Sequence, residues 1–280
     1  MAVFSIDPSI DKLVHDESSI FNYLTSEVLL DKVLGKKRLR FKKLTLTNDP
    51  YEYTHITAYS APYGHDENQG GNPFYMETVR CIADLRNKMC IGCFCRNEDQ
   101  SESFFHPESG EVYYAQSGYQ HSRMWSQYGE DHKGACIVLD KYSLINELQE
   151  KFKHELFFAD ETRYKQGQLF LPESEELDSF RHLKPDQAAI QYFLEDKHRM
   201  KLLFTKDIDY EREKEFRIAF YSEHDYEYAS LNALKAIILG HRFPKDKVSE
   251  VDEIGRSLGI AVLKINYFGN TAHLIQVHRS

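Results

Sequence analysis

A chain of 280 residues that is 41% hydrophobic carries enough apolar side chain to bury a core, and its 28% charged residues exclude wholesale disorder. The formal charge of −9 gives no global attraction to nucleic acid or anionic membrane, although a local basic face could still supply one. No basic, then apolar leader opens the sequence, no run approaches ~18 apolar residues, and five cysteines suit a reducing compartment, so a cytoplasmic protein without membrane contact is expected.

In chain order, residues 19–24 read as a short strand, after which Ser26 can cap a helix that ends at Leu34 before Gly35. Residues 36–47 read as one strand whose apolar phase slips between Phe41 and Leu44, which predicts a bulge. Asn48-Asp49-Pro50 then turns the chain, because Asn and Asp compete for backbone hydrogen bonds and Pro cannot donate one. A loop at 60–73, a helix at 74–88, a buried strand at 90–95 and a polar excursion at 96–121 follow. Next come a helical turn at 124–128, a strand at 135–139, a helix near 142–153, a strand at 155–164 and an acidic loop at 165–184. Pro185 opens what reads as one long helix to Phe204. Strands at 215–221 and 234–239, a helix near 246–258, and strands at 260–267 and 273–277 complete the chain. Without a regular βαβ beat, the pattern predicts an α+β fold of mainly antiparallel sheet with flanking helices, in a single domain over 1–280.

Four blocks carry chemistry. Thr47, Asn48, Asp49 and Glu52 can present a polar cluster at a strand end, or can simply end the strand. The preceding run from Lys36 to Lys43 holds six cations in eight residues, which suits a solvated edge strand or a phosphate-binding face. Cys90, Cys93 and Cys95 read as packing residues, since zinc needs four ligands and no second Cys pair is present, so no metal is expected. Trp125 and Tyr128 lie one helical turn apart, as a core plug or as a platform for a planar ring, with His132 as a further polar neighbour. In the last block Phe216, Ile218 and Phe220 point to the core, so Glu213, Glu215 and Arg217 share the other face. They form either a solvated charge ladder or a pair of carboxylates in which Arg217 holds one ionised.

Taken together and in this order, the blocks resemble a widespread, mainly bacterial family of unassigned function, over roughly residues 20–268. The Glu213-Lys214-Glu215 run is also similar to the Glu-x-Glu pair of arginine-directed mono-ADP-ribosyltransferases. That resemblance implies NAD as cosubstrate, with Glu215 stabilising the ribosyl cation and Glu213 orienting the acceptor. It implies a nucleotide ligand near Tyr23 and the strand with Thr45 and Thr47, to which the blocks add Asn48, Asp49, Trp125 and Tyr128 as candidate contacts; a nucleic-acid or protein acceptor, as in a toxin or anti-phage defence effector, is expected. A nucleotide- or nucleic-acid-binding sensor, and a metal-dependent phosphodiesterase using Asp49, Glu52, Glu213 and Glu215, are the alternatives.

Overall fold

Strand burial patterns set the architecture: Ser19–Leu24 (β1), Met89–Arg96 (β3), Ala135–Asp140 (β6), Glu215–Tyr221 (β10) and Leu234–Leu239 (β12) are buried on both faces. The computed structural model describes residues 8–47, 73–99, 104–105, 112–113, 115–154, 156–166, 172–268 and 271–277, so Asn48, Asp49 and Glu52 lie outside it. The fold is α+β, as expected, with a mixed and mostly antiparallel sheet of ten strands. The further strands of this sheet are Leu39–Lys43 (β2), Phe157–Glu161 (β7), Tyr226–Ala229 (β11), Ala261–Phe268 (β13) and Thr271–Gln276 (β14). Their order is β11-β2-β3-β1-β6-β12-β13-β14, and β10 joins β3 to β7 off that path. The one parallel pair among the described strands of this sheet, β12 with β13, is connected by the helix Lys245–Leu258. Phe104–Phe105 (β4) pairs with Val112–Tyr113 (β5), and Arg163–Lys165 (β8) with Thr205–Asp207 (β9).

Side-chain alternation divides the core. Ile137, Leu139, Ile218, Phe220 and Ile237 pack one face of the sheet, while Phe21, Tyr23, Cys136, Val138 and Ile238 pack the other. A third cluster seats Met89, Phe158 and Ala219 under the helices Pro73–Asn87, Pro185–Leu194 and Asp196–Leu203. No helix among the described residues is long and apolar enough to cross a membrane.

The sheet is split where the site forms. β10 bonds one edge of β3 from Cys95 back to Met89. Both β1 and β2 must therefore use the opposite edge, and they take its two ends: β1 pairs Arg96 and Cys95, and β2 pairs Ile91 and Cys90. Gly92, Cys93 and Phe94 face the slot between them. The Phe41 ring lies so close over Gly92 that any Cβ there would collide with it. The chain crosses from β1 to β2 through Val28–Leu34, which winds as a π-helix, and Asn22 Nδ2 reaches into the slot to donate to Cys93 O at 3.0 Å.

Several sequence expectations need correction. The strand expected over 36–47 is regular only at 39–43; a 3-10 turn at Leu44–Leu46 makes the phase change that buries Leu44, in place of a bulge. The strand expected at 155–164 breaks at Thr162, where the chain changes partner: Thr162 N donates to Glu215 O, and Arg163 N to Phe204 O. The long helix from Pro185 breaks at Glu195, whose extended backbone caps the next helix. The acidic loop contains a short helix, Ser174–Asp178, closed by a reciprocal Glu173–Glu176 capping box. Thr25 rather than Ser26 receives the Val28 N–H, at 3.2 Å.

Candidate active site

The slot opens into a cavity of about 300 Å³, lined by Asn22, Tyr23, Thr47, Cys93, Tyr128 and Glu215 among others. Cross-strand register explains why these residues meet. Directly paired residues share a face, so Phe21, Cys95 and Glu215 stand in one row, and Cys93 and Arg217 in the next. The helix Ser122–Gln127, with Tyr128 at its C-cap, covers this face. Lys206 of β9 and Glu213, at the end of a 3-10 turn over Ile208–Glu213, close it from the side.

At the cavity wall is a buried charge network. Lys206 Nζ lies 2.8 Å from Glu213 Oε2 and 3.8 Å from Glu215 Oε2, while Arg217 donates to Glu215 Oε2 at 2.8 Å. Relative exposures of 7% for Lys206, 3% for Glu213, 5% for Glu215 and 1% for Arg217 rule out the solvated ladder. Arg217 also donates to Leu203 O at 2.9 Å, tying β10 to the end of a helix. Tyr164 accepts the Glu215 N–H at 2.8 Å by its hydroxyl. The Tyr128 hydroxyl lies 3.4 Å from Glu213 Oε1.

The two carboxyls are driven in opposite directions. Burial raises Glu213 above the usual carboxylate range, and Lys206 offsets this only in part. Burial would raise Glu215 too, but Arg217 and then Lys206 outweigh it and hold that carboxyl below its ordinary value. The split leaves Glu213 more readily protonated than an ordinary carboxyl and Glu215 held in its charged form. Lys214 between them sits in left-handed backbone (φ 45°), so Glu213 belongs to the turn and not to the strand.

The other predicted residues divide clearly. Tyr23 presents its ring to the cavity, but its hydroxyl is committed to Gly118 O at 2.7 Å. Thr47 and Tyr128 line the cavity. Trp125 does not: it is fully buried behind Tyr23, edge-on at 5.0 Å, stacks on His132 at 5.4 Å, and donates Nε1–H to Tyr119 O. It is the core plug, and Tyr128 one turn later is the aromatic that faces the cavity. Arg217 is likewise behind the wall, acting through Glu215. Cys90 packs in the core, its thiol pushed up to about 12 by burial, whereas Cys93 and Cys95 line the cavity. Asn22, Gln127, Lys206 and Tyr210 also line it and were not singled out in the sequence.

Behind Tyr128 the backbone makes an unusual turn. Glu130, Asp131 and His132 are consecutive non-glycine residues with φ of 54°, 50° and 66°, each costing about 1–2 kcal/mol relative to right-handed backbone. Glu130 is held by the Ser26 N–H and hydroxyl at 3.0 and 2.9 Å, and Asp131 by the Ser126 hydroxyl at 2.9 Å. Gly134 closes the turn by donating to Gly129 O at 2.9 Å, and any Cβ there would collide with Leu24 O. Gly134→Ala is therefore expected to destabilise the fold by about 1–3 kcal/mol, read as a lowered thermal midpoint; an unchanged midpoint would contradict this packing.

Residues 124–218 match the family model described as Protein of unknown function (DUF2971). The matched segment contains Tyr128, Lys206, Glu213, Glu215 and Arg217, whereas Asn22, Tyr23, Thr47 and Cys93 come from outside it. No curated protein and no solved structure matched the chain.

Proposed function

We propose that the cavity binds the nicotinamide–ribose end of NAD and that the protein is an ADP-ribosyltransferase-like enzyme. The observation that carries this reading is the split pair, with Glu215 held ionised by Arg217 and Lys206 beside Glu213, whose carboxyl is raised. A fixed anion at the wall of a partly closed cavity stabilises a sugar that becomes cationic. In the step, the bond from ribose C1′ to the nicotinamide nitrogen breaks, and nicotinamide leaves neutral with the bonding pair. An acceptor oxygen or nitrogen then attacks C1′ and passes its proton to Glu213. The volume fits one nucleoside end of such a ligand, at the lower end of small-molecule sites. Divalent-metal chemistry on Glu213 and Glu215 is disfavoured, because Lys206 and Arg217 already occupy Glu213 Oε2 and Glu215 Oε2 and a metal would have to displace them.

The test is nicotinamide release from NAD by the purified protein, alone and with cell lysate as acceptor, across pH. Consumption is expected, with kcat/KM falling on the acid side as Glu213 takes up a proton, at a pH above the ordinary carboxylate value. Glu213→Gln should remove that limb. Protein that neither binds nor consumes NAD would overturn the reading. Binding without turnover would replace it with a nucleotide sensor.

A further inference from the structure

Beside this cavity, and sharing Asn22, Lys42, Thr47, Cys93 and Phe94 with it, is a second cavity of about 320 Å³ whose rim is basic. Lys32 and Lys36, from the π-helix and the turn after it, line it together with Arg38, Arg40 and Lys42. The net charge of the chain is −9, so this concentration of cations runs against the sign of the whole molecule.

Alternation on β2 buries Leu39 and Phe41 in the core and turns Arg40 and Lys42 to the opposite face. Register then fixes their neighbours: Tyr228 stands opposite Arg40, and Tyr226 opposite Lys42. The rings interleave with the cations, the Arg38 guanidinium lying 3.7 Å from the Tyr228 centroid and that of Arg40 5.2 Å from Tyr226. Tyr226 is 43% exposed at the outermost strand of the described sheet. Lys42 is also paired with Ile91, so the ladder lies on the same sheet face as Cys93, Cys95 and Glu215. The acidic residues that flank the two tyrosines have other partners. Asp225 pairs with Lys43, Glu223 with Lys88, and Glu227 is held by Ser222 and Lys151.

We infer that this face binds single-stranded nucleic acid and leads it to the cavity as the acceptor of the transferred group. Cations on every second residue of a strand recur at about 6.6 Å, a spacing suited to successive phosphates of an extended strand. Tyrosines between them offer stacking surface to unpaired bases whatever their sequence. An acidic protein would satisfy the cations but leave the rings unused. The acceptor role rests on the glycosyl-transfer reading; the docking does not.

The test is fluorescence anisotropy with labelled single-stranded 20-nucleotide DNA and RNA over a salt series, comparing the 280-residue chain with Arg38→Ala/Arg40→Ala and Tyr226→Ala/Tyr228→Ala. Wild type should bind a single strand more tightly than the duplex. The arginine pair should weaken binding at least ~10-fold and make the salt slope shallower by about 0.7 for each phosphate that is no longer neutralised. The tyrosine pair should weaken binding with the slope kept. Nicotinamide release without oligonucleotide should be unchanged in both variants. The inference is overturned if wild type does not bind at low salt, if duplex or polyglutamate binds as well as the single strand, or if the arginine pair raises KM for NAD without oligonucleotide. That last result would assign the face to the NAD diphosphate. Oligonucleotide binding with the expected slope in a protein inert towards NAD would keep the docking and remove the glycosyl-transfer reading instead.

Discussion

Glu215→Gln should reduce nicotinamide release about 10²–10³-fold at saturating NAD, the loss expected when one oriented charge aimed at a transition state is removed. The amide keeps the shape of the side chain and can still accept from Arg217, but it cannot stabilise a cation at ribose C1′. The amide carries no charge to offset Arg217 and Lys206, so a lower melting temperature accompanies the loss. Rates are therefore compared per folded molecule, well below the melting transition. NAD affinity should change far less than turnover, because the interaction develops in the transition state. Turnover at the wild-type level in Glu215→Gln would remove Glu215 from the chemistry.

Arg217→Ala should give the largest stability loss, about 3–5 kcal/mol, or a fall in melting temperature on the order of 10 °C. The guanidinium is 1% exposed and joins Glu215 Oε2 to Leu203 O, so its removal strips a buried carboxylate of its principal partner and frees a buried carbonyl. The pH dependence should change sign. In the wild type the Glu215 carboxyl lies below its unfolded value. Its stabilisation is therefore present above the unfolded pKa and fades as pH falls through the folded one. Without Arg217, burial raises that carboxyl, and the variant loses stability as pH rises through the new value. Thermal melts from acid to neutral pH check this. Glu215→Gln/Arg217→Ala should also melt above Arg217→Ala alone, an order that a purely steric role for Arg217 would not produce.

The period-2 pattern of residues 215–221 was legible because Phe216, Ile218 and Phe220 all serve one core. From that pattern Glu215 and Arg217 could be assigned to a common face. That the face is buried was not legible, since two of the groups that line the cavity with Glu215, Tyr128 and Asn22, come from far along the chain. Lys206 gave little signal, because the three-residue strand that carries it directly follows the helix expected to end at Phe204, with no Gly or Pro between them. The interruption at Glu195 has no Pro or Gly to announce it; the His198 ring packs back on Tyr192 at 3.7 Å and His198 N donates to Glu195 O. Trp125 and Tyr128 share a helical face in sequence, yet the left-handed turn after them leaves one as plug and the other at the cavity. The basic run at 36–43 was visible as charge, but its tyrosines lie on a strand nearly two hundred residues later, and only register brings them together.

The split in the sheet also constrains how such a site can be altered. β1 and β2 are bonded to opposite ends of the same strand, so the width of the slot is counted in residues of β3. Because facing alternates with every residue, inserting one residue between Ile91 and Cys95 would put those two residues on opposite faces of the sheet. The slot can therefore widen only in steps of two residues, about 6.6 Å each. Ligand size in proteins built on this plan should vary through the side chains at the rim, while the gauge of the opening stays fixed.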